Sequence, residues 1–150
     1  MPEGYKTEIV GVKTVAEAFE RIRVAAMREL VDAVTITAKK TVIDAKNLAP
    51  VGTPETTGIP GYIVSESYMR SIRDTPLEMT YDRKKIRRGV TAGGKIINPN
   101  TGRPVDYAVP LEFGRSKQAP RGVLYPSAFG NTAYFVVAAK KAVVRGILSA

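Results

Sequence analysis

Apolar residues recur every three or four positions from Phe19 through Ile22, Ala26, Leu30, Val34, Ala38, Val42 and Ala45 to Leu48, the spacing that aligns side chains on one face of an α-helix. Just ahead of them, Thr14-Val15-Ala16-Glu17 has the form of a capping box, in which a hydroxyl and a carboxylate satisfy otherwise orphaned amides. The pattern predicts a helix over residues 15–48, about 50 Å long at 1.5 Å per residue and longer than a domain of this size is wide. It must kink or protrude, and the β-branched run Val34-Thr35-Ile36-Thr37 is the expected weak place. Val24, Met27, Val31 and Ile43 lie off the main stripe and form a second apolar surface. That surface serves either a partner or burial on two sides within the same domain.

Pro50 ends the helical pattern, and Gly52, Pro54, Gly58, Pro60 and Gly61 predict an extended loop over residues 50–67. Loops of that length are uncommon in compact domains, so this one is a candidate contact surface, with a tolerated surface insertion as the alternative. Residues 68–82 and 86–92 alternate partially and predict two antiparallel strands joined around Asp82-Arg83-Lys84-Lys85. Gly93-Gly94 and Asn98-Pro99-Asn100-Thr101-Gly102 read as turns, and residues 106–113 as a short helical turn closed by Gly114. Beyond Pro126, residues 128–148 are apolar on most sides and predict a second long helix. Residues 1–13 read as an arm or an edge strand. The expected fold class is α+β: a long N-terminal helix and a C-terminal helix packed on a small antiparallel sheet, with long loops, in one domain spanning residues 1–150.

Composition narrows the chemistry. The chain has no Cys and no His, which excludes Ser-His-Asp and Cys-His catalysis, thiolate and imidazole zinc sites and disulfides. No enzyme activity, cofactor or metal is expected. No apolar run reaches the ~18 residues of a membrane helix and no signal peptide is evident, so no membrane partner is expected. The net charge is +9, from 23 Lys and Arg against 14 Asp and Glu, which favours a polyanion or an acidic protein surface as neighbour.

The densest cationic run is Arg83-Lys84-Lys85-Ile86-Arg87-Arg88. On a hairpin, Arg83, Lys84, Lys85, Arg87 and Arg88 would contact phosphates or an acidic surface without reading sequence. A solvated hairpin with no ligand is the alternative. The segment from Gly89 to Ile96 nearly fits a nucleotide phosphate-binding loop, but Ile96 stands where a hydroxyl is needed, so a turn between strands explains it better. Asp74, Glu78 and Asp82 read as surface carboxylates rather than a metal cluster.

Three stretches taken in order resemble the neck and tail-completion proteins of tailed bacteriophages, the minor tail components of lambda-like siphophages. Ala45-Lys46-Asn47-Leu48-Ala49-Pro50-Val51-Gly52-Thr53 is similar to that family's helix end followed by A-P-V-D-T-G. Tyr68-Met69-Arg70-Ser71-Ile72 is similar to its L-R-x-S-I. Tyr107-Ala108-Val109-Pro110-Leu111-Glu112-Phe113-Gly114, followed by Ala119-Pro120-Arg121-Gly122-Val123-Leu124-Tyr125-Pro126, resembles Y-A-x-x-V-E-F-G and P-A-R-P-F-L-x-P. The chain departs at Gly52, where the family often has Asp, and at Gly122, where it often has Pro.

The resemblance implies a structural virion protein at the head-tail junction, assembled in the bacterial host cytoplasm. It would form a homo-oligomeric ring, a hexamer favoured over a dodecamer, that joins the tail to the connector around the DNA channel. The implied partners are connector or stopper and tail-tube or terminator proteins, with nonspecific contact to genomic DNA. Pro50, Val51 and Pro54 in the loop, with Glu112, Phe113 and Gly114, are the candidate assembly contacts. The alternative from another class is a basic, sequence-nonspecific DNA-binding protein using residues 83–88 with Lys140, Lys141 and Arg145.

Overall fold

The computed structural model describes residues 12–61, 63–80, 85–105, 108–114 and 119–150. Its backbone is α1 (Val12–Leu48), one unbroken helix of 37 residues, about 55 Å long. Thr14 lies inside this helix rather than at its cap, because Val12 and Lys13 are already helical. The β-branched run does not break it either. Thr37 donates its hydroxyl to the carbonyl of Ala33 at 2.8 Å and Thr41 donates to that of Thr37 at 2.9 Å, so these side chains bond within the helix and packing overrides their low propensity. The expected stripe is buried in its C-terminal half at Ala38 and Ala45, while Phe19 remains 66% exposed. The excess length is resolved by protrusion.

Against α1 runs α6 (Thr132–Leu148), antiparallel: Gly146 abuts Ala26, Arg145 approaches Glu29, and Asn131 reaches Asp44. Small residues set this packing. A Cβ placed on Gly146 would lie 2.4 Å from the Ala26 Cα, so only glycine allows the two backbones to approach this closely. The helix expected after Pro126 begins earlier, as α5 (Leu124–Gly130), with Pro126 in its first turn, and Asn131 separates it from α6. Proline is tolerated there because first-turn amides have no intrahelical acceptor.

The strand expected from residue 68 starts only at Arg73, since Ser67–Ser71 form the short helix α3. The predicted hairpin follows as β1 (Arg73–Asp74), β2 (Glu78–Met79), β3 (Ile86–Arg87) and β4 (Val90–Thr91). β1 pairs with β4 and β2 with β3, both antiparallel. The register changes by one residue between the two ladders, where Pro76 and Leu77 stand against Arg88 alone, the count of a β-bulge. A second hairpin, β5 (Gly94–Asn98) and β6 (Arg103–Val105), closes through the predicted Asn98 to Gly102 turn. There Gly102, at φ 63°, donates its amide to the carbonyl of Asn98. α4 (Ala108–Phe113) ends, as the pattern predicts, at a left-handed Gly114 whose amide bonds to the carbonyl of Pro110.

These pieces meet on the C-terminal half of α1. Ala45, Tyr68, Ile72, Val105, Leu111 and Val123 form the buried cluster, with Val42, Val90, Ala92, Ile96 and Leu124 packed around it. The fold is α+β, with two-stranded antiparallel sheets beside helices. Among the described residues no helix is long and apolar enough to cross a membrane. The arm expected at residues 1–13 lies, apart from the helical Val12 and Lys13, outside the described residues.

Candidate assembly surface

Few large side chains are buried. Among the described residues only Tyr68, Ile72, Val105, Leu111 and Val123 are apolar, larger than alanine and buried, whereas twenty-three large apolar side chains are exposed. Scattered exposed apolar residues are ordinary, but contiguous ones mark interaction surfaces. Four regions of the chain concentrate them or the predicted site residues.

The first is the basic hairpin. Arg83 and Lys84 lie outside the described residues. Lys85 and Arg87 point to solvent, as alternation along β3 requires. Arg88 turns inward: its guanidinium bonds Asp74 at 2.5 Å and the Thr35 hydroxyl at 3.3 Å, tying the hairpin to α1. The run of cations therefore divides into outward charges and an internal strut, and Arg88 is not free to meet a phosphate. Asp74 is occupied by Arg88 and Glu78 is exposed on β2, while Asp82 lies outside the described residues.

The second is the junction of α4 and α5. Glu112 accepts hydrogen bonds from the amides of Val123 at 2.7 Å, Leu124 at 2.5 Å and Tyr125 at 3.3 Å, satisfying the donors that open α5. Its carboxylate is thus engaged within the fold. Gly114 terminates α4 and is half-buried. Phe113 is 76% exposed. Sequence reasoning missed the aromatic pair beside it in the chain: Tyr125 and Phe129, one helical turn apart, stack with ring centroids 6.2 Å apart and are each 70% exposed. Their i,i+4 spacing was the available signal.

The third is the loop, which is more ordered than its composition suggests. α2 (Pro54–Thr57) forms within it, with Thr53 and Thr56 bonding each other's amides as a capping box and Gly58, at φ 68°, ending the turn. The Glu55 carboxyl is held below its usual range by the Thr53 side chain and its own backbone amide. Gly52 bridges Ser65 across the base, and the Asn100 side chain pins Ile63 through two bonds of 2.8 Å. Pro50 and Pro54 are half-buried, while Val51, Ile59, Ile63 and Val64 are exposed.

The fourth is α6 and its surroundings. Between α1, the hairpin and α5–α6 lies an open cleft of about 520 Å³ lined by Val34, Ala38, Ile86, Val90, Leu124 and Phe135, with Arg87 and Tyr125 also on its wall. Its polar groups are threonine hydroxyls, the two arginines and the Tyr125 phenol beside an apolar lining, so it can seat an apolar group. The Gly89 to Ile96 segment is strand, glycine turn and strand, with no helix to support a nucleotide phosphate. Among the described residues no three of His, Cys, Asp or Glu converge on a metal position.

No protein-family model matches the chain, and no curated protein or solved structure matches it significantly.

Proposed function

We propose that this chain is a structural ring subunit at the head-tail junction of a tailed bacteriophage, of the neck or tail-completion class. The observation that carries the reading is the imbalance between five large buried apolar side chains and twenty-three exposed ones among the described residues. A protomer of this kind acquires the rest of its core from neighbours. The ordered motif series supports the same reading, because its segments have separate architectural uses: α3 plugs the core with Tyr68 and Ile72, and Glu112 joins the two halves of the third stretch. A closed ring needs two different complementary patches per subunit, and the loop and the α5–α6 surface are distinct apolar patches. The proposed partners are a connector or stopper above and tail-tube or terminator subunits below. In this reading the protein acts by assembly rather than by catalysis.

The deciding experiment is the native mass by light scattering at moderate salt, alone and after mixing with connector or tail-tube protein. A discrete ring-sized species in either condition is the expected result, with six subunits favoured. A monomer that ignores both partners overturns the proposal. The exposed Lys85, Arg87, Lys140 and Lys141 support a second reading, nonspecific DNA binding by a free monomer. Tight, salt-sensitive retardation of duplex DNA by the monomer would favour it.

A further inference from the structure

α6 is apolar almost all the way round. Its inner face meets α1 through Ala142 and Gly146, yet Val136, Val143 and Ile147 on the flank of that face, with Val137 and Val144 beyond them on the far side, are exposed. A helix hydrophobic on all sides belongs in an interior. Among the described residues no element covers this side, since α6 packs mainly on α1 and α5.

Lys140 sits at the centre of this outer stripe. A second copy of α6 laid on it in full overlap, parallel or antiparallel, would set one Lys140 ammonium against the other, which the low dielectric of an apolar seam penalises. The stripe therefore calls for an unlike surface, apolar and acidic. Charge along the chain is segregated in the matching way. Residues 113–150 contain six Lys and Arg and no Asp or Glu, whereas residues 47–69 contain Glu55 and Glu66 and no Lys or Arg, Glu66 lying 3.6 Å from the following Arg70. The second stretch is the loop, whose base is fastened by the Gly52 to Ser65 bridge and the Asn100 clamp and whose Ile59, Ile63 and Val64 are exposed. A loop already shaped before contact loses little entropy when it docks.

We propose that the 51–66 loop of one subunit docks on the outer face of α6 of a second copy, its exposed Ile59 and Ile63 against Val136, Val143 and Ile147, and its carboxylates toward Lys140 and Lys141. The contact is heterologous, so each subunit gives its loop to one neighbour and its α6 to the other, the arrangement that closes a ring. This inference rests on the ring reading and names the two faces that would make the ring.

The chain has no cysteine, so a mixed disulfide reports the contact directly. Ile59→Cys and Val144→Cys both alter exposed positions. The two variants, one carrying a size tag, are mixed under the conditions that give the ring-sized species, and oxidised. The expected product is the mixed dimer, in excess over either self-dimer. In parallel, Lys140→Glu with Lys141→Glu should abolish the ring-sized species, and Glu55→Lys with Glu66→Lys should do the same. Mixing within one chain, with all four reversed, should restore it, a rescue that misfolding would not give. A ring-sized species without the mixed disulfide or the rescue overturns this interface and leaves the ring reading standing. Failure of the unsubstituted chain to form any oligomer, alone or with connector or tail-tube protein, overturns the ring reading and this interface with it.

Discussion

At Gly146 a single hydrogen atom sets how closely two helices approach. A methyl group there would lie 2.4 Å from the Cα of Ala26 and 2.5 Å from its amide nitrogen, a clash with backbone that rotamer changes cannot relieve. Gly146→Ala is therefore expected to destabilise by about 1–3 kcal/mol, although alanine is the better helix former. Gly130, also helical, has nothing within 4 Å of its virtual Cβ, so Gly130→Ala should be neutral or stabilising by up to about 1 kcal/mol. Denaturant melts of the pair separate close packing from propensity. A second residue-scale prediction concerns Asp44, whose carboxyl is held below the usual value of 3.8 first by the Asn131 amide at 2.7 Å and then by Lys40 at 3.0 Å. The folded state thus favours the carboxylate more than the unfolded chain does. Its contribution is present above pH 3.8 and disappears as pH falls through the lower folded value. Asp44→Asn should therefore lower stability near neutrality and differ less and less from the parent below pH 4, as thermal melts across that range would report.

Among the elements, α5 depends on a residue outside itself. Val123 supplies no side-chain cap, and the amides of Val123, Leu124 and Tyr125 all donate to Glu112. Glu112→Ala leaves these donors without that acceptor, and a loss of about 1–3 kcal/mol is expected. Glu112→Gln, which keeps one acceptor oxygen, should recover part of it, and urea titration of the three proteins orders them. This is also where sequence legibility ended. α1, the first hairpin, the Asn98 to Gly102 turn and the Gly114 stop were readable, because helical period, glycine turns and proline breaks are local signals. The sequence offered Glu112 as a candidate assembly contact and not its bonds to α5, since its partners lie eleven to thirteen residues away and a side chain bonding distant amides leaves no periodic trace. Arg88 was misread for the same reason: within the run from Arg83 it looks like its neighbours, and only the pairing of β1 with β4 brings Asp74 to it. The α3 turn was lost to the β-rich composition of residues 68–72, where burial of Tyr68 and Ile72 outweighs local preference. α2 hid inside a segment whose Pro and Gly content argues for irregularity, yet Thr53, Pro54 and Gly58 are the residues that start and stop a single helical turn.

For the whole molecule, a subunit that completes its core on neighbours, as proposed, has its folding coupled to assembly. A neighbour that binds only the folded subunit stabilises it by mass action, by about 2.7 kcal/mol when its concentration is about 100 times the dissociation constant. For a chain of this length that corresponds to a rise in Tm of roughly 5–11 °C. The Tm of the unsubstituted protein, or of its mixture with connector or tail-tube protein if the ring forms only there, should therefore climb with total protein concentration. Substitutions inside the protomer, such as Glu112→Ala, should lower the whole curve and keep its slope, because they weaken the fold without touching the neighbour. Lys140→Glu with Lys141→Glu should do the opposite. Both ammoniums are solvent-exposed on α6, so the curve at the lowest concentrations should nearly coincide with that of the parent, while the climb is lost. A parent Tm independent of concentration under conditions where the ring-sized species forms would mean that the exposed apolar surface contributes nothing to stability on assembly. The twenty-three exposed side chains would then need an explanation other than a core completed by neighbours.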